Sequence, residues 1–138
     1  MEETPALAEW IIEQTADAVI YADPAGTIVR WNRAATALFG YSAAEALGQN
    51  LDLIIPEHLR AAHWRGFEAA MTSGRTRLHG RATLTRAISK TGQKLYVEMT
   101  FAMVNNQEGE VLGSVAIARD VTARVEHEKS VSSHNGVM

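Results

Sequence analysis

The stretch from Ala22 to Gly48 constrains the fold more than any other part of this 138-residue chain, because turn, strand and cap signals follow one another in one consistent order. Asp23-Pro24-Ala25-Gly26 reads as a turn, with Pro24 pre-setting φ at the first central position and Gly26 tolerating positive φ. Ile28-Val29-Arg30-Trp31 supplies β-branched and aromatic strand formers, and Asn32 follows as a helix N-cap. Ala34, Ala35, Leu38 and Phe39 then recur at helical spacing until Gly40 stops them. Ser42 and Glu45 stand in a capping-box arrangement that opens a further short helix, ending near Gly48.

The remaining segments extend this pattern. Thr4 caps a first helix with Pro5 at its first position, and Leu7, Trp10 and Ile11 give that helix an apolar stripe. The stripe packs on its own domain or pairs with a second copy. Strands are expected at about Ala18–Ala22 and Thr27–Trp31, followed by short helices to about Ile55. Pro56 precedes a longer helix, Glu57 to about Thr72, closed by Ser73-Gly74. Three longer strands follow at about Thr76–Ala87, Lys94–Asn105 and Val111–Arg119, with turns at Lys90-Thr91-Gly92 and Asn106–Gly109. Hairpin-connected strands with helices on one side make an α+β domain around a five-stranded antiparallel sheet. A chain of this length buries one core, and no internal repeat is visible. Ser130 to Met138 is Ser-rich and polar, and reads as a disordered tail or the beginning of a linker.

Charge and composition narrow the partners. Thirteen basic residues stand against 16 acidic ones, a net charge of −3, which argues against a nucleic-acid or anionic-lipid surface. No apolar run approaches the roughly 20 residues of a membrane span. Met1-Glu2-Glu3-Thr4-Pro5 lacks the basic-then-apolar order of a secretory signal, so a cytoplasmic location is expected. The absence of cysteine excludes disulfide frameworks and zinc–thiolate sites.

Asp23, Gly26, Ile28, Trp31-Asn32, Ala34, Leu38-Phe39-Gly40-Tyr41-Ser42, Glu45 and Gly48 together resemble the signature of the PAS sensory-domain family. The resemblance implies a PAS fold over residues 17–122, with a flanking helix over 1–16 and a further helix and tail over 123–138. Ala118-Arg119-Asp120-Val121-Thr122 resembles the family's closing motif, in which an Asp and a Thr set the exit angle of the C-terminal helix. Asp120 is also a plain helix cap for the segment Val121 to Lys129, whose alternating charges suit continuation toward an output domain. Within the family, lack of cysteine excludes the flavin–thiol adduct of the light-oxygen-voltage branch and the thioester chromophore of the photoactive yellow branch.

The long helix carries the residue of greatest chemical interest. Leu59, His63, Phe67, Ala70 and Met71 share one face, so an imidazole interrupts an apolar stripe. Such a histidine is a satisfied core group or a ligand to a metal. Its neighbour Trp64 is expected to pack on the sheet edge or a partner, and His58 to face solvent. Leu59-Arg60-Ala61-Ala62-His63, with Phe67, Gly74, Arg77 and Gly80, resembles the haem-binding PAS domains of nitrogen-fixation oxygen-sensor kinases and of a haem-regulated phosphodiesterase. That resemblance implies haem b held by His63 as axial ligand, with Arg77 near a propionate. On the distal side the chain departs from both relatives: Thr83 stands at the kinases' oxygen-binding Arg, and Arg81 at the phosphodiesterase's sixth-ligand Met. Met99, Phe101 and Met103 alternate along the next strand as a distal wall, and Met71 and Ile117 complete the expected cofactor set.

Three functions follow for comparison. The first is a haem-based sensor of a diatomic gas or redox state, with the signal passing through the sheet to the flanking helices. The second is a module without cofactor, or with a small metabolite, that dimerises through the N-terminal helix and sheet and relays strain to an attached or separate output protein. The third, an enzyme, is not expected: the chain has no metalloprotease helix, no G-x-S-x-G elbow, no phosphate loop and no paired acids in a cleft.

Overall fold

The turn at Asp23 organises the first third of the fold. Asp23 Oδ1 accepts from the backbone N–H groups of Ala25 at 3.0 Å and Thr27 at 2.9 Å, so one carboxylate closes the reversal. The structure is a computed structural model that describes residues 3–75 and 80–137. In order it contains α1 (Glu3–Gln14), β1 (Ala18–Ala22), β2 (Ile28–Trp31), α2 (Arg33–Phe39) and α3 (Ala43–Ala46). Two 3-10 turns, Leu51–Ile54 and Glu57–Leu59, lead into α4 (Arg60–Ser73). Then come β3 (Thr83–Ile88), β4 (Lys94–Asn105), β5 (Val111–Asp120) and α5 (Thr122–Val137).

The five strands form one sheet in the order β2-β1-β5-β4-β3, with every neighbouring pair antiparallel. Period-two alternation divides its faces. Ala18, Ile20, Ala22, Ala87, Leu95, Val97, Met99, Ala116 and Ala118 turn inward to the core, where Trp31, Phe39, Leu51 and Ile54 cover them. Trp31 donates its indole N–H to Thr36 Oγ1 and the Tyr41 carbonyl, and its ring meets Phe39 at 5.6 Å between centroids. The expected α+β architecture is present.

Two boundaries differ from the sequence reading. β3 runs from Thr83, because Gly80 holds a positive φ of 78° in a turn and residues 81–82 are not yet paired; the expected start near Thr76 lies outside the described residues. At the other end, the polar tail is helical through Val137, since no proline or glycine interrupts α5 before Gly136. The closing motif serves both roles assigned to it. Asp120 accepts from the Thr122 N–H at 2.8 Å as a cap, and Thr122 Oγ1 accepts from the Tyr96 N–H at 2.9 Å, tying the start of α5 to β4.

Candidate functional site

Between the inner face of the sheet and α4 lies a cavity of about 330 Å³, lined almost entirely by apolar side chains. Its floor comes from Ala22, Met99, Phe101 and Ala116 of the sheet, and its roof from His63 and Phe67. A volume of this size is at the lower end of the range for small-molecule sites. Ser114 and Thr85 add the hydroxyl groups of the wall.

His63 and Arg86 are the ionisable side chains on the cavity lining, and His63 is the one with a lone pair to offer. Its Nδ1 is buried and has no hydrogen-bond partner. Burial pushes the imidazole below the ordinary histidine value, with the Asp52 carboxylate pulling weakly the other way. The ring is therefore held neutral, with a lone pair to offer. A neutral imidazole in an apolar enclosure fits a ligand to a metal or an acceptor for a buried donor. Among the described residues no group of three or more His, Asp or Glu stands together, and His63 is the imidazole on the cavity lining. One axial histidine is the donor set a haem requires, and on that ground the residues fit the group.

The helix bearing His63 is held in place mainly at its N-terminal end. Arg60 Nε donates to the Ile55 carbonyl at 3.1 Å, and the Trp64 indole N–H donates to Asp52 Oδ1 at 2.8 Å. The Trp64 ring lies against the β1–β2 turn so closely that a Cβ at Gly26 would fall 2.3 Å from the indole. His63, Trp64 and Phe67 form a ring cluster, with centroids 4.7 Å apart for His63–Trp64 and 5.1 Å for Trp64–Phe67.

Of the residues singled out from sequence, His63, Phe67, Met99 and Phe101 come together on the cavity wall. Met71 is half-buried on α4 but off that wall, one turn beyond Phe67. Arg81 is exposed in the segment before β3, and Thr83 is half-buried opposite Met99 without reaching the cavity. Met103, opposite Ser114, likewise stays off the wall. Ile117 needs correction. It pairs with Val19 and Thr100 on the other face of the sheet, while its neighbours Ala116 and Ala118 point inward. Arg77 lies outside the described residues. Trp64 packs on the β1–β2 turn, which leads into the edge strand β2. Sequence reading missed Leu51, Ile54, Ser114 and Asp52. Ser114 was missed with the same choice of face that misplaced Ile117, whereas Leu51 and Ile54 sit in a 3-10 turn that carries no long periodicity.

The PAS fold family matches residues 8–121. The chain belongs to the PAS family. The histidine-protein kinase AtoS of Escherichia coli is similar to this PAS domain at 29% identity over 96% of the chain, which corresponds to 21% of the kinase. The oxygen sensor protein DosP of Escherichia coli is 27% identical over 83% of the chain and 14% of its own length. The chain thus spans about a fifth or less of these curated relatives. Among solved structures, an RNA-binding light-oxygen-voltage receptor superimposes with a TM-score of 0.74 at 26% identity, covering 99% of this chain and 38% of that one. No helix among the described residues is long and apolar enough to cross a membrane.

Proposed function

We propose that this PAS domain senses a small ligand in the cavity beneath α4, with His63 as the point of attachment and haem b as the cofactor its chemistry suits. The observation that carries the reading is a neutral imidazole on the wall of an apolar cavity, its Nδ1 buried and without a hydrogen-bond partner. Similarity to a protein named as an oxygen sensor supports it. Haem iron supplies a coordination site for a diatomic gas and a change of redox state. His63 presents the ring, Phe67 and Phe101 exclude water, and Met99 walls the sheet side. A ligand biases output only by its differential affinity for two arrangements of the domain. The β5–α5 junction at Asp120–Thr122 is the route by which the sheet passes that bias to a flanking helix. The module acts in the cytoplasm as a sensor without catalysis of its own, attached to or bound by a signalling output protein.

The test is a haemin titration of the purified chain. A sharp Soret band that survives desalting, and is lost in His63→Ala, supports the role. Colourless protein after desalting, or an identical spectrum in the variant, rejects it.

A second reading has an observation of its own. Leu7, Trp10 and Ile11 of α1 are 53%, 63% and 60% exposed, an apolar stripe suited to a second copy. Dimerisation and relay would then be the domain's work whether the cavity takes haem, a small metabolite or neither.

A further inference from the structure

A 14-residue helix above an apolar cavity ordinarily buries a stripe of its own, yet no residue of α4 is fully buried. Among the described residues, side-chain hydrogen bonds tie the N-terminal end of α4 to the preceding turns, Arg60 to the carbonyls of Ile55 and Asp52 and Trp64 to the Asp52 carboxylate, while at the other end Ser73 Oγ bonds only the backbone of the following Arg75. Between Trp64 and that end, Phe67 packs on the core and the cavity by apolar contact. Trp64 is also the group that joins two regions, since its ring touches His63 in the roof of the cavity and Phe67 beside it while its far edge presses on Gly26.

We infer that α4 is a lid over the cavity and that Trp64 is its latch, engaged when the indole donates to Asp52 and lies on Gly26. Arg60 is the hinge. Release of the indole lifts His63 and Phe67 together, because the three rings pack as one cluster. A planar apolar ligand enters from the Phe67 end, and its seating against His63 displaces the ring that rests on the β1–β2 turn. Occupancy is thereby felt at Gly26 and Asp23 on the β2 side of the sheet, a route separate from the Asp120–Thr122 exit. The inference rests on reading the cavity as the ligand site, but its test does not depend on haem.

Amide hydrogen exchange on the 138-residue chain, followed by mass spectrometry, compares wild type with Trp64→Phe and Asp52→Ala. Loss of one net hydrogen bond should speed exchange across α4 by about fivefold while β1 and β5 keep their protection. The association rate of the apolar dye anilinonaphthalene sulfonate should rise by a similar factor in both variants. Unchanged α4 protection in both variants overturns the latch. So does a loss spread equally over α4, β1 and β5, which would mark Trp64 and Asp52 as general supports of the fold. Failure of haemin uptake with α4 selectively loosened would reject the haem reading and leave the lid standing.

Discussion

Asn32 is 1% exposed and uses its whole side-chain amide. Its Oδ1 accepts from the Val19 N–H at 2.9 Å and the Ala35 N–H at 3.0 Å. Its Nδ2 donates to the carbonyls of Ile12 at 2.8 Å and Asp17 at 3.0 Å. One side chain thus caps α2, fixes β1 beside β2 and fastens the end of α1. Asn32→Asp keeps the shape but turns an oxygen toward two carbonyls, and should cost about 2 kcal/mol or more by urea denaturation. A loss under about 0.5 kcal/mol would show that the amide donors are replaceable. Gly26 meets a different constraint, with φ at 86° and the Trp64 ring where a Cβ would stand. Gly26→Ala should destabilise by about 1–2 kcal/mol from backbone strain alone. Part of the further penalty from the clash should disappear in the Gly26→Ala/Trp64→Phe double variant. Strict additivity of the two changes would mean that the ring simply swings clear.

At the scale of elements, the capping box of α3 is present as a reciprocal pair. Ser42 Oγ accepts from the Glu45 N–H at 3.1 Å, and Glu45 Oε1 accepts from the Ser42 N–H at 2.9 Å. The other Glu45 oxygen meets Lys90 from the β3–β4 turn, and that charge-assisted bond with the Ser42 N–H holds the carboxyl below its ordinary 4.5. A carboxylate lowered on folding contributes stability that is fully present above 4.5 and is lost as the pH falls through the lowered value. Glu45→Gln should therefore melt below wild type at pH 7, with the gap closing on acidification; a gap independent of pH would remove the charge from the account. Where α5 leaves the sheet, Thr122→Val deletes the acceptor for the Tyr96 N–H and should cost about 1–2 kcal/mol, with faster exchange at that amide. Protection of the Tyr96 amide equal to wild type would break this tie. Elements of this kind were legible in the sequence because their signals are local: a turn residue, a cap and a hydrophobic period lie within a few positions of one another. His63, Phe67, Met99 and Phe101 were legible on the same ground, each standing in a regular element of known period. Ile117 was misplaced because choosing a sheet face needs the register across β1 and β4, which no residue of β5 carries by itself. The pairing of Trp64 with Asp52 and Gly26 was hidden for a stronger reason. It joins α4 to a 3-10 turn and a β-turn, 12 and 38 residues away in sequence, through a side-chain bond and a close approach that no periodicity announces.

For the molecule as a whole, the question is what covers α1. Among the described residues its polar ties to the body are Glu9 with Arg30 at 3.0 Å, Glu13 with Arg33 at 3.9 Å, and the Ile12 carbonyl that receives the Asn32 amide. Exposed ion pairs of this kind contribute little net stability. The helix is thus seated by its C-terminal end, while Leu7, Trp10 and Ile11 face water. Burying one such large side chain against a second copy is favourable by about 1.5–3 kcal/mol, so three on each protomer would offset a sizeable part of the entropy lost on association. The Arg119–Asp17 pair joins the α1–β1 link to the last residues of β5, so a dimer built on α1 would abut the strand that leads into α5. Sedimentation velocity of the wild-type chain at tens of micromolar should show a dimer, and Trp10→Glu should yield a monomer with an unchanged far-ultraviolet circular dichroism spectrum. The two measurements separate assembly from sensing. A monomeric wild type would sink the proposed pairing through α1, while the haemin titration would still decide the role of His63.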